Sequence, residues 1–268
     1  MSLQVGVYGL SLFAGAFVAA VVAVITSRRA VTAEGRALGL LMSSVFVWAL
    51  AAAFEAVVPE ASTKIMLSKI EYVGIASTPL LIFLFSYRFA RPGSRLPRGA
   101  AAALWAIPVA TLALAATNES HRLIWSGFSP SSGPAGRLLI YDHGPFFWVH
   151  AGYAYLLLAA TTVLLLLSFL RYRGVHRSQS VLLLLAFLLP WTGNALYLSG
   201  LAGGDKGYDF TPLGFALSGL FLLWAMFRLQ LIDIVPFARE RVIESMGESL
   251  FILDQEGRLT ATNPAARK

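Results

Sequence analysis

The chain has 268 residues, of which 57% are hydrophobic and 13% charged, against the roughly 25% charged of an ordinary soluble domain. A mean hydropathy of +0.69 leaves too little polar surface to cover a soluble core, so most of these residues must face lipid. Cysteine is absent, which excludes disulfide scaffolds, thiolate metal sites and cysteine nucleophiles. The net charge of +7 reports orientation and anionic lipid contact in a membrane chain rather than a nucleic-acid partner.

Crossing a bilayer takes about 20 apolar residues in a helix. Seven charge-free runs qualify: Met1 to Ser27, Ala37 to Phe54, Tyr72 to Tyr87, Gly99 to Asn118, Gly144 to Leu170, Ser178 to Gly204 and Phe210 to Phe227. The third is the shortest, so its first turn is expected to include Lys69 or Glu71. All exceed the 9 to 11 residues of a barrel strand, and the expected fold is an all-α, seven-transmembrane-helix bundle over residues 1–230. The first run has no charged leader and is followed at once by Arg28 and Arg29, the reverse of a cleavable signal. With Met1 outside, the short inner loops hold Arg28, Arg29, Arg36, Arg88, Arg91, Arg95, Arg98, Arg171, Arg173 and Arg177, while the longer outer segments hold Lys64, Lys69, Arg122, Arg137 and Lys206. That imbalance places the N-terminus outside and the C-terminus in the cytoplasm of a cell-membrane protein.

Polar side chains inside spans are costly and face the bundle or water. Here they collect in the outer half: Glu55 ends the second span, Lys69, Glu71 and Tyr72 begin the third, and Asp209 opens the seventh. Phe146, His150 and Tyr153 share a face of the fifth helix, and Pro190, Asn194 and Tyr197 a face of the sixth, beside Trp191. These stripes are read as lining one cavity, and Glu55, Glu71, Tyr72, Trp125, His150, Tyr153, Trp191, Asn194, Tyr197 and Asp209 are the candidate ligand contacts. Each has a plainer alternative. Glu55, Lys69 and Glu71 can be an interfacial ion pair between the second and third helices, and Asn194 an interhelical hydrogen-bond partner. Thr211 and Pro212 read as an N-cap with proline at the first helical position, and Tyr141 and Trp148 suit an interfacial aromatic belt. His121, His143 and His150 with Asp142 lack a tight metal spacing, and neither metal nor cofactor is expected. The long segment Asn118 to His143 carries Trp125, Phe128 and Tyr141, the composition of an ordered lid.

After the seventh span, Pro236 breaks the helix near the membrane surface. Val235, Ala238, Val242 and Met246 then form one apolar stripe among charged residues, compatible with a dimeric linker helix over 231–247. Residues 248–268 change character. Leu250 to Leu253 and Leu259 to Thr262 read as strands around a turn, with Asn263 and Pro264 opening a helix, the start of an α/β domain that this stretch does not complete.

Ile124-Trp125, Tyr141 to Trp148 with Tyr153-Ala-Tyr155, Pro190 with Asn194 and Tyr197, Asp209-Phe-Thr-Pro212, and Asp233 to Arg239 together resemble the seven-helix N-terminal sensor region of membrane histidine kinases. The final stretch resembles the start of a PAS domain. The resemblance implies a non-catalytic input module, a kinase or in some relatives a diguanylate cyclase further along, and a response regulator as partner. A retinal pigment is disfavoured because the four lysines, Lys64, Lys69, Lys206 and Lys268, read as lying in loops, at a helix end or in the tail. A transporter or small-molecule carrier is the competing class, disfavoured because polarity stops halfway across and no repeat is visible. The expected ligand is a small amphipathic or lipid-like molecule, and the expected assembly a homodimer among membrane lipids. Reporter fusions after Ser94 and after Gly133 should report opposite compartments; the same compartment for both would break the seven-span topology.

Overall fold

In hydrocarbon only a helix can satisfy every backbone polar group within one segment, and each apolar run folds accordingly. The computed structural model describes residues 6–29, 33–94, 96–130, 139–199, 209, 211–229, 245–253 and 259–267. Its long helices are α1 (Val7–Arg29), α2 (Ala33–Val57), α3 (Ala61–Ala90), α4 (Arg98–Ala116), α6 (Pro145–Arg171), α7 (Gly174–Ser199) and α8 (Thr211–Arg228), with a single turn, α5 (Asn118–His121), after α4. All seven long helices have the length and hydropathy to cross a membrane, so this is a multi-pass membrane protein. Their apolar side chains point both ways. Leu12, Leu41, Leu80, Phe85, Leu183 and Leu222 are buried between helices, while Leu10, Phe17, Leu40, Leu156, Leu170 and Trp224 face outward, as a lipid-facing surface requires.

Packing runs from α1 to α2 to α3, on to α6, α7 and α8, and back from α8 to α1, while α4 lies outside against α3 and α6. Small residues permit the closest approaches. A Cβ on Gly74 would stand 2.4 Å from the Cβ of Trp48, and one on Gly214 would stand 2.7 Å from the Cα of Pro190. Beside Gly74, the Ser44 hydroxyl meets those of Ser77 and Thr78 at 2.8 and 2.9 Å, tying α2 to α3 with polar groups that satisfy one another.

Three spans carry an internal proline: Pro79 in α3, Pro108 in α4 and Pro190 in α7. A helical proline offers no N–H to the carbonyl four residues earlier, and no water replaces that donor in lipid. The carbonyls released are those of Ile75, Leu104 and Ala186, and each is taken by a side chain of a neighbouring span. His150 of α6 hydrogen-bonds the Ile75 backbone. Tyr153 of α6 donates its hydroxyl to the Leu104 carbonyl at 2.6 Å, and Ser218 of α8 donates to Ala186. The prolines thus become joints between α3 and α6, α4 and α6, and α7 and α8.

Between α5 and α6 the chain forms an antiparallel hairpin, β1 (Trp125–Pro130) and β2 (Leu139–His143), with a bulge between Trp125 and Gly127. The composition predicts an ordered lid over this segment; it forms a paired hairpin, and strand pairing of short segments leaves no mark in the run of apolar residues. We call this the hairpin end of the bundle and the other the arginine end. The chain separates into two compact units, Met1–Leu231 and Ile232–Lys268. In the second unit β3 (Phe251–Leu253) and β4 (Leu259–Thr262) pair antiparallel and a single 3-10 turn, Pro264–Arg267, follows. The Asn263 side chain accepts the Leu250 and Ala266 N–H groups, at 2.9 and 3.0 Å, which fits the start of an α/β fold. The expected linker helix lies, for residues 231–244, outside the described residues.

The proline joints yield a direct test. Tyr153→Phe leaves the Leu104 carbonyl orphaned and should lower stability by about 1–3 kcal/mol. Adding Pro108→Ala restores a backbone donor and should recover most of that loss, read as denaturation midpoints in detergent. A double variant no more stable than Tyr153→Phe would contradict the joint.

Candidate functional site

The hairpin is fastened by one buried amide. Asn118 accepts the N–H groups of Ile124 and Trp125 on Oδ1, both at 3.0 Å, and donates Nδ2 to the Trp125 carbonyl at 3.0 Å. Gly144 closes the other side, donating to the Ile124 carbonyl at 2.8 Å, where any Cβ would stand 2.4 Å from the Leu123 carbonyl oxygen. Trp125 is thereby buried edge-on against Tyr72 of α3, with centroids 5.0 Å apart. Tyr141 packs beside it at 5.7 Å and reaches into the bundle, its hydroxyl accepting from Ser68 at 2.5 Å and donating to Glu55 Oε1 at 2.8 Å. Burial and the neighbouring Glu55 charge push the Tyr141 hydroxyl up, so it remains a neutral donor.

Below Tyr141 lies a cluster of three carboxyl groups. Glu55, Glu71 and Asp209 act on one another electrostatically, and Lys64 is the cation whose charge reaches Glu55 and Glu71. Lys64 is buried at 2% exposure and donates Nζ to the Glu55 carbonyl at 2.5 Å. Asp209 caps α8, Oδ1 accepting the Thr211 N–H at 2.8 Å and the Thr211 hydroxyl at 2.5 Å. Burial raises the Asp209 carboxyl and these two bonds oppose the rise. The Tyr8 hydroxyl of α1 donates to the Asp209 carbonyl at 2.8 Å. Glu71 differs from its neighbours: its Oε1 is buried without a hydrogen-bond partner.

One turn deeper a cavity of about 100 Å³ opens between α2, α3, α6, α7 and α8. Trp48 walls it from α2, Ile75, Thr78 and Pro79 from α3, and Thr211 and Phe215 from α8. From α6 come Phe147, His150, Ala151, Ala154 and Tyr155, and from α7 Phe187, Pro190, Trp191 and Asn194. The lining is largely apolar with few polar groups, the usual make-up of a small-molecule site. A hydrogen-bond chain joins it to the carboxyl cluster. Tyr155 donates to Asn194 Oδ1 at 2.7 Å, and Asn194 Nδ2 lies 3.5 Å from Thr211 Oγ1, whose hydroxyl is held by Asp209. The Trp48 Nε1–H is buried and unpartnered on this wall.

The predicted residues therefore divide. His150, Trp191 and Asn194 line the cavity, Glu55, Glu71 and Asp209 form the cluster above it, and Tyr72 and Trp125 pack the hairpin onto α3. Tyr153 turns away to α4, and Tyr197 is outside the lining, with its ring edge-on to His143 at 5.9 Å. The expected grouping of Lys69 with Glu55 and Glu71 is corrected: Lys69 pairs with the exposed Glu119 of α5 at 2.6 Å and reaches the carbonyl of Ala116, the last residue of α4, at 3.0 Å. Its charge holds the Glu119 carboxyl below the usual range. Lys64, Ser68, Tyr8, Phe147 and Tyr155 are not among the candidate contacts expected from the sequence. Lys64, Ser68, Glu71 and Ile75 recur at helical spacing, a signal that lies ahead of the apolar run beginning at Tyr72. The expected Thr211 N-cap is also corrected, since Thr211 is the first helical residue and Asp209 supplies the cap.

No curated protein matches the chain. Comparison with protein families matches residues 10–236 to the N-terminal 7TM region of histidine kinase. Covering most of the chain and all seven spans, that match assigns this protein to the family of seven-transmembrane N-terminal regions of histidine kinases.

Proposed function

We propose that the chain is the input region of a longer signal-transducing histidine kinase, and that it binds a small amphipathic or lipid-like ligand in the cavity between α2, α3, α6, α7 and α8. The observation that carries this reading is the cavity itself, a pocket inside the bundle bordered by a polar cluster at one end only. The loop arginines support an orientation with the hairpin outside and the C-terminus in the cytoplasm of a cell-membrane protein, so the ligand enters from outside. The bundle occupies residues 1–230, a linker helix 231–247, and the start of a PAS-like domain 248–268.

A ligand shifts an equilibrium only as far as its affinities for two states differ. Two of the proline joints, at Pro79 and Pro190, form part of the cavity wall, so a ligand pressing on them acts on the contacts that set α3 against α6 and α7 against α8. In this reading α8 carries the shift to a dimeric linker, and the output passes to a response regulator through the kinase part.

Filling the cavity tests the reading. In the full-length protein in native membranes, Ala154→Phe should fold, abolish the stabilisation of several degrees that a small amphipathic compound gives the unmodified protein, and fix autophosphorylation at one level. Equal stabilisation of both forms by every amphipathic compound screened would contradict a ligand site here.

A further inference from the structure

Two buried polar atoms have no partner: Trp48 Nε1, a donor on the cavity wall, and Glu71 Oε1, an acceptor one helical turn before Ile75 of that wall. Trp48 is 7% exposed and Glu71 9%, so water does not routinely serve either, and leaving such groups unmatched is costly. They are close in height. Trp48 packs against Gly74, three residues and therefore about 4.5 Å of helix below Glu71. Electrostatics add a sign: among the described residues Lys64 is the cation that acts on Glu55 and Glu71, and it is itself committed to the Glu55 carbonyl.

We infer that the ligand is an amphipathic amine that sets its ammonium against Glu71 and an acceptor oxygen a few bonds away against Trp48 Nε1, with its apolar body in the cavity. This rests on the cavity being the ligand site. A bare metal ion fits less well, because no three acidic or imidazole side chains among the described residues converge to hold one, whereas an ammonium needs only carboxylate acceptors and a negative surrounding. The apolar wall from Ile75 to Phe215 gives an alkyl chain the burial that an inorganic cation would not use.

The test is calorimetric binding of four probes to the protein in lipid nanodiscs, referenced to empty discs: octylamine, octanol, octanoate and a vicinal aminooctanol. Octylamine should bind about tenfold tighter than octanol, aminooctanol tighter still, and octanoate not at all. Glu71→Gln should reduce octylamine to the octanol level and leave octanol unchanged, and Trp48→Phe should erase the advantage of the added hydroxyl. Glu55→Gln, which keeps an oxygen for Tyr141, should weaken octylamine less than Glu71→Gln does, and it supplies the charge test if the latter does not fold. Octanol and octylamine binding alike, or a ratio that neither glutamine variant moves, overturns the amine and leaves the cavity reading intact. Failure of all four probes to bind overturns the cavity reading as well.

Discussion

A carbonyl that loses its helical donor in lipid has nowhere to turn except a neighbouring helix, and this protein meets that situation at Pro79, Pro108 and Pro190. The side chains that respond, His150, Tyr153 and Ser218, come from adjacent spans, so a local defect in one helix becomes a fixed point between two. Helix association in a bilayer lacks the hydrophobic driving force available in water. Polar joints of this kind, with close approaches at Gly74 and Gly214, therefore do much of the work of defining which helices meet. The cavity lies where two of the joints are, with Pro79 and Pro190 in its wall.

Polarity at the hairpin end follows the same accounting of donors and acceptors. Tyr141 brings a hydroxyl from the hairpin to Glu55 and Ser68, Asp209 caps α8 while its carbonyl receives Tyr8, and Asn194 links Tyr155 to Thr211. Groups from α1, α2, α3, α6, α7, α8 and the hairpin are thus tied together by hydrogen bonds. The buried Glu71 Oε1 and Trp48 Nε1 have no such partner.

The sequence made the seven spans plain, because hydrocarbon thickness imposes a length that charge-free runs reveal directly. Asn194, His150 and Trp191 were also legible, since polar or amphipathic residues inside a span are few. Which face of α6 meets the cavity was not. Apolar and aromatic residues surround that helix, so the stripe through Phe146, His150 and Tyr153 looked as good as the one through Phe147, His150, Ala151 and Ala154 that lines the cavity. Tyr153 belongs to Leu104 for a reason that lies in another helix, at Pro108, and periodicity along one helix cannot show it. Lys64 was hidden differently: a lysine eight residues before Tyr72 reads as a loop charge, whereas α3 begins at Ala61 and the Lys64 ammonium reaches the Glu55 carbonyl at the end of α2.

The central claim is that a ligand occupies the space inside the bundle rather than the lipid-facing surface. Photolabelling with a diazirine-bearing alkylamine, mapped by peptide mass spectrometry on the protein in nanodiscs, tests it most directly. The account predicts adducts at Trp48, Ile75 and Ala154 that an excess of unlabelled octylamine suppresses. Adducts confined to outward residues such as Leu156, Leu166 and Leu170, unaffected by competitor, would contradict it.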